Sequence, residues 1–329
     1  MTRQDTQILK GLAILMMLFL HLFNEVQKAN LCVNFIHVAD KPLTFIMTRM
    51  ANPVPLFVML SGYGLYAVSL KGDKNRWTRL WRLVKRYWLI LAIFVTIGHF
   101  LVPQTYPGSF ANIIKNLTAY ETSYNGEHWF LFPYILLAVT SPWLFRICNR
   151  YNTIVVLGVS YFIYLATCYL IKFYGPTYLF THMAPYHPIL YGSLLFNFIL
   201  GALACKNHWL EKSKKPIVTR FAWVAILLLC VLRCCMSTTA FHNLFIFALM
   251  WLWIQTTRPA KIDRVLHHLG DHSMNMWLIH TFFCTYLFHD FIYGFKYPLL
   301  IYLVLIAVSY LSSCVINWID KKMTHYFAK

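Results

Sequence analysis

Residues 8–24 read Ile8-Leu9-Lys10-Gly11-Leu12-Ala13-Ile14-Leu15-Met16-Met17-Leu18-Phe19-Leu20-His21-Leu22-Phe23-Asn24. At about 1.5 Å per residue, a helix of this length covers most of a hydrocarbon core about 30 Å thick. Comparable apolar runs recur along the chain, at about 45–68, 86–102, 129–146, 153–172, 188–205, 218–236, 240–256, 273–293 and 298–319. Of the 329 residues, 59% are hydrophobic and only 12% are charged. That charged fraction is about half what soluble domains carry. The fold class expected is all-α: a polytopic integral membrane bundle of about ten transmembrane helices, with residues 1–329 forming one membrane-embedded domain.

The first run is read as a span and not a cleaved leader. Arg3 and Lys10 precede it, but no Ala-x-Ala site follows, and the chain continues through Asn24-Glu25-Val26-Gln27-Lys28. The nine cysteines fall mostly inside apolar runs, without paired spacing, so neither a disulfide framework nor a zinc site is expected.

A net charge of +18 would suit a nucleic-acid binder, but the placement of the cations excludes that reading. With a cytosolic N-terminus and ten spans, about 22 of the 29 Lys and Arg residues fall on the inner side, the asymmetry of the positive-inside rule. Both termini are then cytoplasmic. The segment Lys71-Gly72-Asp73-Lys74-Asn75-Arg76-Trp77-Thr78-Arg79-Leu80-Trp81-Arg82-Leu83-Val84-Lys85-Arg86 carries seven of these cations and one anion. It reads as a topology signal against anionic lipid, or as a guanidinium face, since Arg79, Arg82 and Arg86 recur at helical spacing. Such a face suits a polyphosphate, because Arg donates in bidentate fashion to phosphate oxygens.

Ionisable groups within spans are costly and point to function. Lys10 and His21 lie eleven residues apart, almost three whole turns, and so project from one face about 16 Å apart. Histidine takes and returns a proton near neutrality, as activation of a hydroxyl nucleophile requires. Asn24 and Glu25 follow within reach of the ring and could fix its tautomer. Against this stands a plain reading, a His near a span end bonded to another helix. Three further positions are candidate support. Trp129, in Gly126-Glu127-His128-Trp129-Phe130, also suits an interfacial anchor. Ser61, in Ser61-Gly62-Tyr63-Gly64, also suits close helix packing. His280 is a second intramembrane imidazole, in the stretch from Leu269-Gly270 that is expected to begin the ninth span.

In order along the chain, these pieces resemble the acyltransferase-3 family of bacterial multi-pass membrane acyltransferases. Lys10-Gly11-Leu12-Ala13-Ile14 with His21 is similar to the family's basic residue, Gly-x-Ala-Ile and His eleven positions on. Phe57-Val58-Met59-Leu60-Ser61-Gly62-Tyr63 matches its second-span motif, and Arg79 with Arg82 its cytosolic Arg-x-x-Arg pair. Trp129-Phe130-Leu131, Phe198-Ile199-Leu200-Gly201, and Leu269-Gly270 with Ser273 and Leu278-Ile279-His280 continue the match.

The resemblance implies O-acylation: transfer of an acyl group, commonly acetyl, from cytosolic acyl-CoA to a hydroxyl of a carbohydrate or related cell-envelope molecule; the short outward loops suit a lipid-linked glycan or a glycan terminus. It implies an enzyme of the inner (plasma) membrane; no His or carboxylate cluster has metal-ligand spacing, so no metal is expected. By the same analogy His21 is the catalytic base, Lys10 stands at the family's essential basic position, and Arg79 and Arg82 contact the CoA phosphates. There are two departures. Lys10 replaces the usual Arg and lacks its fork, and the Pro usual after the second Arg is absent, since Arg86 precedes Tyr87-Trp88-Leu89. The CoA pair is therefore Arg79 with Arg82, or Arg82 with Lys85 or Arg86. The competing function is a transporter or flippase of an envelope precursor, although no duplicated halves are visible.

Overall fold

The structure, a computed structural model, describes residues 1–72, 76–213, 215–236 and 241–327. Asp73, Lys74 and Asn75 of the basic segment, Lys214, Ala240 at the start of the eighth apolar run, and Lys329 lie outside the described residues. In chain order the helices are α1 (Arg3–Phe23), α2 (Val26–Asn30), α3 (Leu43–Met47), α4 (Pro53–Ser69), α5 (Arg76–Leu101), α6 (Phe110–Leu117) and α7 (Leu131–Arg150). They continue with α8 (Thr153–Tyr174), α9 (Met183–Lys206), α10 (Pro216–Cys235), α11 (His242–Gln255), α12 (Ala260–Thr281), α13 (His289–Tyr293) and α14 (Pro298–Phe327). A two-residue hairpin, β1 (His37–Val38) with β2 (Lys41–Pro42), is the only sheet among the described residues.

Eight helical segments among the described residues are long and apolar enough to cross a membrane, so the chain is a polytopic helical membrane protein. The two remaining expected spans take other forms. The run at 240–256 is the 14-residue α11, shorter than a span needs. The run at 273–293 is not one helix beginning near Leu269. The helix begins at Ala260, so its first half is charged, and it ends at Thr281 in a π turn at Phe282–Tyr286 before the short α13. Residues 260–268 carry Lys261, Asp263, Arg264, His267 and His268, and that polarity hid the helix from a hydropathy reading.

The chain divides into two compact units, each assembled from separated segments. One comprises Met1, Pro55–Lys85 and Gly108–Glu211, and the other comprises Thr2–Val54, Arg86–Pro107 and Lys212–Lys329. In the first unit α9 packs against α7 and α8. Glycines let α4 and α9 meet at backbone distance: a Cβ on Gly62 would lie 2.0 Å from the Phe198 carbonyl oxygen, and one on Gly201 2.0 Å from that of Met59. Lipid offers no hydrophobic drive for helix association, so close backbone approach through small residues takes its place.

In the second unit α1 and α12 repeat the device. A Cβ on Gly11 would lie 1.9 Å from the Leu266 carbonyl oxygen, and one on Gly270 2.0 Å from that of Gln7. A helical carbonyl points toward the C-terminus, so these pairs set Gly11 opposite Gly270. Ten residues further along each helix, the His21 and His280 rings are 5.1 Å apart. The two helices therefore run parallel. The start of α1 is fixed by a capping box: Asp5 N donates to the Thr2 hydroxyl (3.1 Å), and Thr2 N donates to the Asp5 carboxylate (2.7 Å). Two tyrosines hold α1 from the side. Tyr302 and Tyr293 donate to the backbone carbonyls of Leu15 (2.9 Å) and Leu22 (2.8 Å). A polar seam ties α12 to α14, with contacts His268–Tyr310 (2.6 Å), His272–Ser313 (2.8 Å) and Asn275–Asn317 (3.0 Å).

Candidate active site

His21 is in the last turn of α1 and only 8% exposed, and His280 is fully buried in the last turn of α12. The crossing at Gly11 and Gly270 sets the register that brings the two imidazoles together, their planes tilted by 54°. His280 Nδ1 lies 2.8 Å from the Trp277 carbonyl and 3.1 Å from that of Met276. Carbonyls only accept, so Nδ1 carries the proton and Nε2 keeps its lone pair. That Nε2 is buried without a hydrogen-bond partner. A buried polar atom left unpaired costs about 1–3 kcal/mol, which marks it as a group awaiting a donor. A hydroxyl is such a donor. The last-turn position of His21 also sets any imidazolium formed there at the negative end of the α1 dipole, a favourable interaction of about 0.3–2 kcal/mol.

Lys10 is half-buried on α1. The field of Asp271, on α12, reaches it. Asp271 is held in turn by Gln7, whose Nε2 donates to the carboxylate at 2.6 Å. Glu25 is turned to Lys28, 2.7 Å away, with its carboxylate half exposed. Asn24 ends α1, and its buried side-chain oxygen has no hydrogen-bond partner.

The basic segment is the first turns of α5, and the structure separates its arginines. Arg79 lines a cavity of about 500 Å³ with Arg76, Trp77, Ser69, Ser141 and Phe145. Arg76 Nε is buried and unpartnered, and the Trp77 ring is exposed beside it. Cationic forks next to an exposed indole suit a nucleotide, phosphates on one and base on the other. Arg76 and Trp77 stand outside the Arg-x-x-Arg spacing, so their place in this cavity is not legible in the sequence. Arg82 is exposed. Arg86 pairs with Asp320 at 3.4 Å, which engages the guanidinium proposed for CoA.

Ser61 shares a hydrogen bond with Tyr134, whose phenol lies within the field of Arg79. Trp129 sits in the 3-10 turn Gly126–Phe130 that precedes α7. It lines two adjoining cavities of about 560 and 630 Å³, which share Phe180, Tyr186 and Leu190 with it. The first is also lined by Tyr120, Lys115, Glu121 and His187; Lys115 and Glu121 form an ion pair at 2.9 Å. The structure thus brings His21 together with His280 in one unit. In the other it groups Arg79 with Arg76, and Ser61 with Tyr134.

Residues 5–318 match the family model described as an acyltransferase domain, acyltransferase-3. No curated protein and no solved structure matches the chain. The motif glycines Gly11, Gly62, Gly201 and Gly270 are the residues at which helices meet, and the motif histidines are the two that face each other across one such contact. With the match spanning nearly the whole polypeptide, the chain belongs to the acyltransferase-3 family of membrane acyltransferases.

Proposed function

We propose that this acyltransferase is an O-acyltransferase of the plasma membrane. It moves an acyl group, acetyl in the simplest case, from acyl-CoA to a hydroxyl of a carbohydrate acceptor of the cell envelope. The observation that carries this reading is the buried His21–His280 pair, with one imidazole nitrogen held in the accepting state and left without a partner. His21 removes the proton of the acceptor hydroxyl as its oxygen attacks the thioester carbonyl carbon. The tetrahedral intermediate collapses with cleavage of the C–S bond, and the departing thiolate recovers the proton from the imidazolium, so no net proton is consumed. His280 packs against the base ring, and its accepting Nε2 takes a second hydroxyl of the carbohydrate, so the reacting proton goes to His21 alone. Arg79 and Arg76 hold donor phosphates, with Arg82 adding charge at the surface.

The cavity of Trp129, Tyr120 and Tyr186 supports a carbohydrate as acceptor, since aromatic faces stack on sugar C–H bonds while Lys115 and Glu121 supply donors and an acceptor for hydroxyls. No observation favours the transporter reading. The test is release of CoA thiol from acetyl-CoA by the purified protein, measured with and without envelope glycan fragments. Glycan-dependent release that His21→Ala abolishes supports the proposal. Glycan transport across vesicles without thiol release overturns it.

A further inference from the structure

Arg49 and Arg233 form a second cationic cluster that the transfer reaction does not use. Arg233, at the end of α10, is 5% exposed. Its Nη1 donates to the Met236 carbonyl at 2.7 Å, and Arg49 Nη1 donates to the Cys234 carbonyl at 2.8 Å. These bonds occupy one of the five N–H donors on each guanidinium and neutralise the carbonyl end of α10. Arg233 Nε is buried and unpartnered, as are His242 Nε2 and Asn243 Nδ2 at the start of α11. The Arg233 guanidinium feels the fields of Arg49 and Cys234, and among the described residues no carboxylate is a partner. Its charge in turn reaches His242. Residues 237–240, Ser-Thr-Thr-Ala, hold no carboxylate either.

A buried guanidinium and a half-buried one brought together, with no acid beside them among the described residues, are unfavourable unless an anion joins them. Topology does not require them, because on the sidedness set by the loop charges both belong to the about 7 cations that oppose the bias. They lie at the end of a 20-residue apolar helix, the depth at which lipid headgroups sit.

We propose that Arg49, Arg233 and His242 form a binding site for a phosphate group at headgroup depth, supplied either by a lipid phosphate or by a free phosphate ion. The bidentate forks take the phosphate oxygens, and the imidazole and Asn243 N–H groups supply the remaining donors. The site is independent of the transfer chemistry.

Thermal unfolding of the detergent-purified full chain, at fixed ionic strength, tests it with two probes, inorganic phosphate and dodecyl phosphate, and dodecyl maltoside as the uncharged control. At ten times Kd a bound probe raises Tm by about 3 °C. The rise is expected to persist in the Arg79→Ala, Arg82→Ala double variant and to vanish in Arg233→Gln and in Arg49→Gln. The half-buried Arg49 provides the readout if Arg233→Gln fails to fold. A rise with both probes identifies a free-phosphate site, and a rise with dodecyl phosphate alone identifies a lipid headgroup site. No rise with either probe, or an equal rise in Arg49→Gln, overturns the proposal.

Discussion

Gly11→Ala is the substitution on which fold and chemistry bear together. The added Cβ would lie 1.9 Å from the Leu266 carbonyl oxygen, and the obstacle is backbone, which cannot rotate away. An ordinary carbon–oxygen contact is about 3.3 Å, so α1 and α12 must separate by about 1.4 Å. Overpacking of this kind costs about 1–3 kcal/mol, felt as a fall in Tm of about 2–9 °C. The same displacement moves His21 away from His280, and a misplacement of about 1 Å at a reacting centre lowers the rate about 100-fold, or about 2.7 kcal/mol of barrier. The assay is CoA thiol release under saturating acetyl-CoA, run beside thermal unfolding and acetyl-CoA binding. The expected result is folded protein that binds acetyl-CoA normally and turns over about 100-fold more slowly. Wild-type turnover in Gly11→Ala would refute the claim that this crossing sets the histidine pair, and Gly270→Ala should behave alike.

Three further outcomes follow from the same structure. Arg76→Ala and Arg79→Ala should each raise the KM for acetyl-CoA about tenfold with kcat little changed, and flatten its dependence on salt; unchanged KM in both would remove the α5 cavity from donor binding. His280→Phe fills the buried volume but supplies no acceptor, so kcat should fall about 10–100-fold while Tm holds within a few degrees; full activity would leave His280 a packing residue. A single-cysteine variant retaining the exposed Cys235 should react with an impermeant maleimide added to intact cells, as the expected sidedness requires. One retaining only Cys32 should not, because burial holds that thiol up at about 11. Labelling of Cys235 only after cell lysis would reverse the sidedness.

The membrane class and most of the helices were legible in the sequence because span length and apolarity are properties of single segments. Ala260–Thr281 was legible only in its second half, since its first turns are charged and its burial depends on α1, α14 and the Gly11–Gly270 contact. The candidate site divides in the same way. Helical spacing placed Lys10 and His21 on one face, but the approach of His280 to His21 depends on a crossing between segments some 260 residues apart, and no local pattern encodes it. Ser61-Gly62 read as a packing pair, which the Gly62–Phe198 contact bears out for the glycine. Arg86 illustrates the reverse limit. Its spacing with Arg79 and Arg82 is regular, yet Asp320 claims it from far along the chain.

On the proposed mechanism a buried imidazole, His21, activates an acceptor hydroxyl against acyl-CoA. The most direct measurement follows radiolabelled acetyl from acetyl-CoA into an envelope glycan fraction, comparing wild-type protein with His21→Ala at equal, verified acetyl-CoA occupancy. Label is expected in the glycan with wild type, with a loss of about 10²–10⁴-fold in the variant, which still binds the donor. Transfer by His21→Ala at near the wild-type rate would contradict it.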